Sequence, residues 1–310
     1  MVDPVLKVNL GGIEMATPIL AASGPFACGH QYRELIDFEA LGGLIVKGVS
    51  LEPWPGNPPP RLVETSSGML NAIGLQNPGL SYFIANDLPL LIEYGPRVIV
   101  NIIGSTVAEY AAVASGLSGA KGVDGLEVNI SCPNIKAGGM AFGTDPALTF
   151  EVVSAVRRET TLPLLVKLSP NVTAITAIAR AAEEAGADAL SLINTLSGML
   201  IDIEAKKPLL GNIFGGLSGP AVMPVALKMV WQAAGAVSIP ILGMGGITSA
   251  EDAIQFILAG ARAVAVGTGI FYNPDLPGLI KKGITDYMLA HGIPFLEQIE
   301  GLARKGAENK

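Results

Sequence analysis

A chain of 310 residues, half of them hydrophobic and 15% charged, can fill one large α/β domain or two smaller ones. Its formal net charge of −7 argues against broad nucleic-acid binding, which needs lysine and arginine to neutralise phosphates. No run of about 18 apolar residues suits a membrane-spanning helix, residues 1–4 lack a signal-peptide pattern, and two cysteines fit a reducing cytoplasm rather than a disulfide framework.

Eight short apolar runs recur along the chain, at residues 18–22, 43–49, 97–104, 125–131, 162–169, 189–195, 239–245 and 263–269. Their apolarity is continuous rather than alternating, as expected of parallel strands covered on both faces. Helix signals lie between them. Asp145-Pro146 is an N-cap and N1 proline ahead of Leu148, Val152, Val153 and Val156. Ser249-Ala250-Glu251-Asp252 precedes Ile254, Ile257 and Leu258 in the same way. Eight strand–helix units predict a closed (β/α)8 TIM barrel, with residues 1–310 forming a single domain. The competing open, doubly wound sheet would normally bring a G-x-G-x-x-G fingerprint near its first strand, and the chain has none. Two connections exceed plain turns, residues 50–78 after the second strand and 196–218 after the sixth. Both leave the C-terminal ends of strands, where barrel enzymes place their chemistry, so these long inserted loops are expected at the active face.

Four groups of residues point to chemistry there. Gly243-Met244-Gly245-Gly246-Ile247 ends the seventh strand and Gly267-Thr268-Gly269 the eighth. This pair of loops commonly binds phosphate through backbone N–H groups, although glycine there also serves simply to turn the chain. Lys47 and Lys167 sit within apolar strands, where an ammonium group is costly to bury without an anion; the plainer alternative is a lysine that snorkels to water. Asn71, Asn101, Asn129, Asn134 and Asn194 lie at strand ends or in the long loops. Asparagine donates and accepts, matching the edge of a heterocycle, but single loop asparagines usually form turns. Cys132, in Asn129-Ile130-Ser131-Cys132-Pro133-Asn134, sits where a strand breaks at proline, beside a glycine-rich segment, residues 137–140, that would act as a lid excluding water. A free cysteine is more often inert and buried, and Cys28 is assigned to that class or to a loop without a role. His30 and His291 show no carboxylate cluster nearby in the sequence, which speaks against a zinc site or a Cys-His hydrolase. An iron–sulfur cluster needs about four cysteines, more than this chain has.

These motifs together resemble the class 1 dihydroorotate dehydrogenases over essentially the whole chain. The most specific pieces are Asn71-Ala72-Ile73-Gly74-Leu75-Gln76-Asn77-Pro78-Gly79 and the segment around Cys132; the loop from Gly243 is shared by many FMN barrels. The resemblance implies one FMN per chain and oxidation of (S)-dihydroorotate to orotate in pyrimidine synthesis. Cys132 would be the base for the C5 proton while C6 gives hydride to flavin N5. FMN would be held by Ser23, Lys47, Gly48, Asn101, Asn129, Lys167, Ile193, Gly219, Gly245, Gly246, Gly267 and Thr268. The substrate would meet Lys47, Asn71, Ala72, Ile73, Gly74, Leu75, Asn129, Asn134, Asn194 and Thr195. Residues 74–79 look like the NAD-linked, heteromeric branch, which implies a homodimer core of a heterotetramer and a partner electron-transfer subunit bearing FAD and a [2Fe–2S] cluster. The rivals are the fumarate-linked homodimeric branch, a dihydropyrimidine dehydrogenase catalytic subunit, a Schiff-base aldolase using Lys167, and a non-catalytic barrel.

Overall fold

The computed structural model describes residues 5–130 and 142–308; Cys132, Asn134 and the expected lid at 137–140 lie outside them. Eight parallel strands close into a barrel in sequence order: Ile19–Ala21, Gly43–Ile45, Arg97–Ile102, Gly125–Asn129, Leu164–Lys167, Ala189–Leu192, Ile241–Met244 and Ala263–Val266. Each lies inside one of the eight apolar runs. Most of the runs overshoot the strand at its C-terminal end, because residues just past it, such as Ile103, Ile130, Leu168 and Ile193, are themselves buried. Apolarity reports burial, whereas strand ends are set by where pairing stops.

Side chains alternate between barrel axis and outer helices, with period two. In the fourth strand Leu126 and Val128 pack outward into the apolar core, while Glu127 and Asn129 share the opposite, inner face. The helices start where the sequence signals place them. Asp145 accepts the Leu148 N–H ahead of helix Pro146–Glu159, and Ser249 accepts the Asp252 N–H ahead of Ala250–Ala259. Thr106 caps Val107–Ser118, whose Tyr110, Val113, Ala114 and Leu117 form one buried stripe.

Two additions have no counterpart in the apolar runs. An antiparallel hairpin, Val8–Leu10 with Ile13–Met15, turns at Gly11-Gly12 with φ of 59° and 100°. A Cβ on Gly11 would lie 2.6 Å from the Asp188 carbonyl, and Ile13 lies against Gly125, so the hairpin sits across the strand starts at the N-terminal end of the barrel. At the opposite end the two long connections are not irregular loops. They pair into one four-stranded antiparallel sheet of Leu62–Thr65, Gly68–Asn71, Gly215–Ser218 and Leu196–Gly198, with a small core of Leu70, Ala72 and Leu210.

Candidate active site

The barrel mouth collects the expected residues because each lies at, or one or two places beyond, the end of its strand. Ser23 follows the first strand and Lys47 the second; Asn101, Asn129 and Lys167 lie in the last two positions of the third, fourth and fifth. Ile193 follows the sixth, Gly245-Gly246 the seventh and Gly267-Thr268 the eighth. Parallel closure alone therefore brings them to one face.

Within the mouth lies a buried polar layer. The Lys167 ammonium is 3.5 Å from Glu127 Oε2 and donates to Ser23 Oγ at 3.4 Å. The anion that the apolar setting of Lys167 demands is thus supplied by the chain itself. Glu127, completely buried, also accepts from Asn101 Nδ2 at 2.5 Å and from the Ser191 hydroxyl at 2.7 Å. Asn129 Nδ2 donates to Asn101 Oδ1 at 3.4 Å, and Asn194 Nδ2 to Asn129 Oδ1 at 3.5 Å. Three of the five singled-out asparagines so form one row. From behind, Tyr110 donates its hydroxyl to the Asn129 carbonyl at 2.7 Å.

The glycines differ in what they do. Gly246 has φ +78°, and a Cβ there would stand 2.7 Å from the Gly219 carbonyl oxygen and 2.9 Å from the Met223 nitrogen. Gly219 has φ +98°, and a Cβ there would in turn stand 2.6 Å from Gly68 Cα. A Cβ on Gly48 would sit 2.9 Å from Asn101 Oδ1, so the bare backbone there makes room for the amide row. Gly267 has no such constraint; its nearest neighbours would be Ala22 and Pro25 at 3.7 and 3.8 Å. Thr268 donates to Ser218 Oγ at 2.8 Å, tying the eighth strand's loop to the sheet above the mouth.

That sheet positions the remaining candidates. Asn71 ends strand Gly68–Asn71 and donates to the Gly216 carbonyl at 3.3 Å. Ala72 donates to the Arg61 carbonyl, and the Ile73 carbonyl accepts from Asn57 N–H. Gly74 and Leu75 take φ of 74° and 60°, and buried Asn77 staples the turn by donating to the Leu75 carbonyl and accepting from the Ser50 and Gly79 N–H groups. Thr195 donates its N–H to Asn194 Oδ1 at 2.8 Å, while Asn171 holds the Thr195 carbonyl and the Ser197 N–H.

Sequence reasoning overlooked Glu127, Ser191, Tyr110, Asn77 and Asn171. Glu127 carried the signal already used for the lysines, a lone charge inside an apolar strand. His30 does find a carboxylate in space, Asp87 at 3.1 Å, and Cys28 donates to the other Asp87 oxygen at 3.5 Å. Burial, then the Asp87 carboxylate, pushes the Cys28 thiol up to about 12, which favours its protonated form. Among the described residues no three His, Cys, Asp or Glu side chains are grouped to hold a metal ion, and no helix is long and apolar enough to cross a membrane.

Known proteins resemble this chain along almost its whole length. The family profile described as dihydroorotate dehydrogenase matches residues 5–288. The chain is 54% identical over 296 residues to the dihydroorotate dehydrogenase B (NAD(+)) catalytic subunit of Alkaliphilus metalliredigens, covering 96% of this chain and 98% of that one. It is 54% identical over 298 residues to the protein of the same name from Pelobacter propionicus, with 96% and 98% covered. A third such catalytic subunit, from Geotalea daltonii, is 52% identical over 301 residues, 97% and 99% of the two chains.

Proposed function

The chain belongs to the dihydroorotate dehydrogenase family, and from that premise we propose that it is the catalytic subunit of an NAD-linked dihydroorotate dehydrogenase, oxidising (S)-dihydroorotate to orotate in pyrimidine synthesis. The observation that carries this reading is the Asn101–Asn129–Asn194 amide row beside Lys167 at the barrel mouth. Amides match the alternating donors and acceptors of a pyrimidine or flavin edge, and the lysine supplies positive charge.

The residues present fit FMN. At Gly267, on an ordinary backbone, a Cβ would make only ordinary contacts with Ala22 and Pro25, so the chain's own packing does not call for glycine there; a group that must approach the backbone closely does. Ser23, Lys47, Gly48, Asn101, Asn129, Lys167, Ile193, Gly219, Gly245, Gly246, Gly267 and Thr268 would hold it, with the phosphate at the two glycine turns. Bound there, FMN supplies the hydride acceptor for C6 of the substrate.

The remaining work falls to the chain. Lys47 meets the substrate carboxylate, and Asn71 to Leu75, Asn129, Asn134, Asn194 and Thr195 orient the ring. Cys132 removes the C5 proton. A free thiol has a pKa of about 8.5 and is mostly protonated at neutral pH, so substrate binding and proton removal must be coupled, or the site must favour the thiolate. Lys167, held by Glu127, keeps positive charge in the wall of the site. We read residues 1–310 as one domain, supported by the apolar cluster that runs from Val8 to Ile299, and place it in the cytoplasm, which two cysteines fit. The words "catalytic subunit" in the relatives' names support a partner subunit. We assign that partner FAD and a [2Fe–2S] cluster for passing electrons to NAD, on a homodimer core.

The visible spectrum decides the matter. The purified protein should be yellow, and anaerobic dihydroorotate should bleach it. A flavin left unreduced by dihydroorotate but reduced by dihydrouracil would refute the assignment in favour of a dihydropyrimidine dehydrogenase. For the base, Cys132→Ala turning over like wild type at neutral pH with full flavin occupancy would reject that role.

A further inference from the structure

The function proposed above uses Glu127 only to hold Lys167, yet it is the most deeply buried charged side chain among the described residues. Every group that reaches it is a donor: Asn101 Nδ2 at 2.5 Å, Ser191 Oγ at 2.7 Å and Lys167 Nζ at 3.5 Å. An ionised carboxylate only accepts. Asn101 must therefore turn its NH2 toward Glu127 and its carbonyl away, and the consequence travels. Asn101 Oδ1 takes Asn129 Nδ2, Asn129 Oδ1 takes Asn194 Nδ2, and Asn194 Oδ1 takes the Thr195 N–H. All three amides point the same way. A row of asparagines has no intrinsic direction, since turning an amide over exchanges donor for acceptor at each station. Two contacts bear on that direction: at one end a carboxylate that accepts, and at the other a backbone N–H that cannot accept.

We propose that Glu127 is the positioning residue of this site, an acceptor-only anchor that fixes the direction of the Asn101–Asn129–Asn194 row and the place of the Lys167 ammonium. The inference rests on the proposed function, in which those four side chains contact flavin or substrate. Glu127 touches neither and acts through them. Partly reversed amides would offer a bound pyrimidine acceptors where it needs donors, so the loss should appear in ligand affinity and not only in stability.

Two variants of the FMN-loaded protein test this. Glu127→Gln keeps the shape but presents an amide that donates as well as accepts, so Asn101 no longer has one preferred orientation, and Lys167 loses its counter-ion. Glu127→Asp keeps the charge beside Lys167 and withdraws the carboxylate from Asn101 by one methylene. Orotate affinity is read from its perturbation of the flavin spectrum, and FMN affinity from quenching of free-flavin fluorescence by apoprotein. E127Q should bind orotate about tenfold or more weakly, the scale of one well-placed hydrogen bond to a charged group. FMN affinity should fall with it, and E127D should lose several-fold. A purely structural role predicts lower melting temperatures with unchanged affinity in the folded, flavin-loaded fraction. Orotate affinity in E127Q within twofold of wild type would overturn the proposal. Where E127Q cannot be purified, E127D binding orotate like wild type does the same. A flavin-loaded wild type that dihydroorotate fails to bleach would instead sink the proposed function, so the two failures are told apart.

Discussion

Gly246→Ala and Gly267→Ala, made separately, should behave in opposite ways although both glycines sit in strand-end loops of similar appearance. At Gly246 the backbone has φ +78°, and the new Cβ would meet the Gly219 carbonyl oxygen at 2.7 Å, Met223 Cβ at 2.8 Å and the Met223 nitrogen at 2.9 Å. A left-handed conformation costs a residue with a Cβ roughly 1–2 kcal/mol. Two of the three contacts are backbone atoms, so the clash cannot be relieved by a rotamer change, and forced repacking adds about 1–3 kcal/mol. The apoprotein should therefore lose about 2–5 kcal/mol. At Gly267 the nearest atoms would be 3.7 and 3.8 Å away, with no left-handed φ, so apoprotein stability should stay within about 0.5 kcal/mol of wild type. There the methyl group would occupy the approach of the cofactor, and FMN affinity should fall by about tenfold or more. Urea unfolding of the apoproteins at constant slope and FMN fluorescence titration measure the two quantities. The reasoning fails if Gly246→Ala unfolds with the wild-type midpoint, or if Gly267→Ala weakens apoprotein stability and leaves FMN binding alone.

Three further outcomes follow from individual contacts. Cys28, its thiol raised to about 12 by burial and Asp87, should resist iodoacetamide in the native protein at pH 8, as read by peptide mass spectrometry; alkylation at the rate of a free thiol would contradict the geometry. Because the folded state holds this proton after the unfolded thiol has released it, stability should fall by up to about 1.4 kcal/mol per pH unit between about pH 9 and about pH 12, and Cys28→Ala should lessen that fall. Tyr110→Phe keeps the edge-on contact with Phe142 but removes the donor to the buried Asn129 carbonyl, and should cost about 1–3 kcal/mol in urea unfolding; less than about 0.5 kcal/mol would mean that the hydroxyl does not secure the end of the fourth strand. Burial raises the Glu183 carboxyl, but the Ser238 hydroxyl and the Ser238 and Ile239 N–H groups outweigh it and hold its pKa below the usual value. Its contribution is therefore present above the ordinary carboxylate range and lost as pH falls through the lowered pKa. The melting-temperature gap between wild type and Glu183→Gln should close on acidification, and a gap that does not change with pH would refute this.

The barrel was legible in the sequence because parallel strands covered on both faces must be apolar along their whole length, and eight such runs stand between well-capped helices. That regularity also gave away the mouth. A residue at a strand's C-terminal end has nowhere else to go once the sheet closes, which is why Lys47, Asn101, Asn129, Lys167 and the two glycine loops came together as expected. The long connections stood out by length, but their pairing into one sheet was not legible. Leu62–Thr65 and Gly215–Ser218 are short and separated by about 150 residues of barrel, and the glycines of the latter leave little period-two pattern to read.

What only the tertiary structure decided is direction and partnership. Asparagine is the same letter whichever way its amide faces, and a buried lysine demands an anion without saying which. Those questions are settled by Glu127, whose contacts come from the third, fifth and sixth strands and exist only when the barrel closes. The sequence by itself determined which groups reach the mouth, because burial pattern and strand position are local. Their hydrogen-bond polarity is a property of neighbours distant in the chain, and closure alone brings those neighbours into contact.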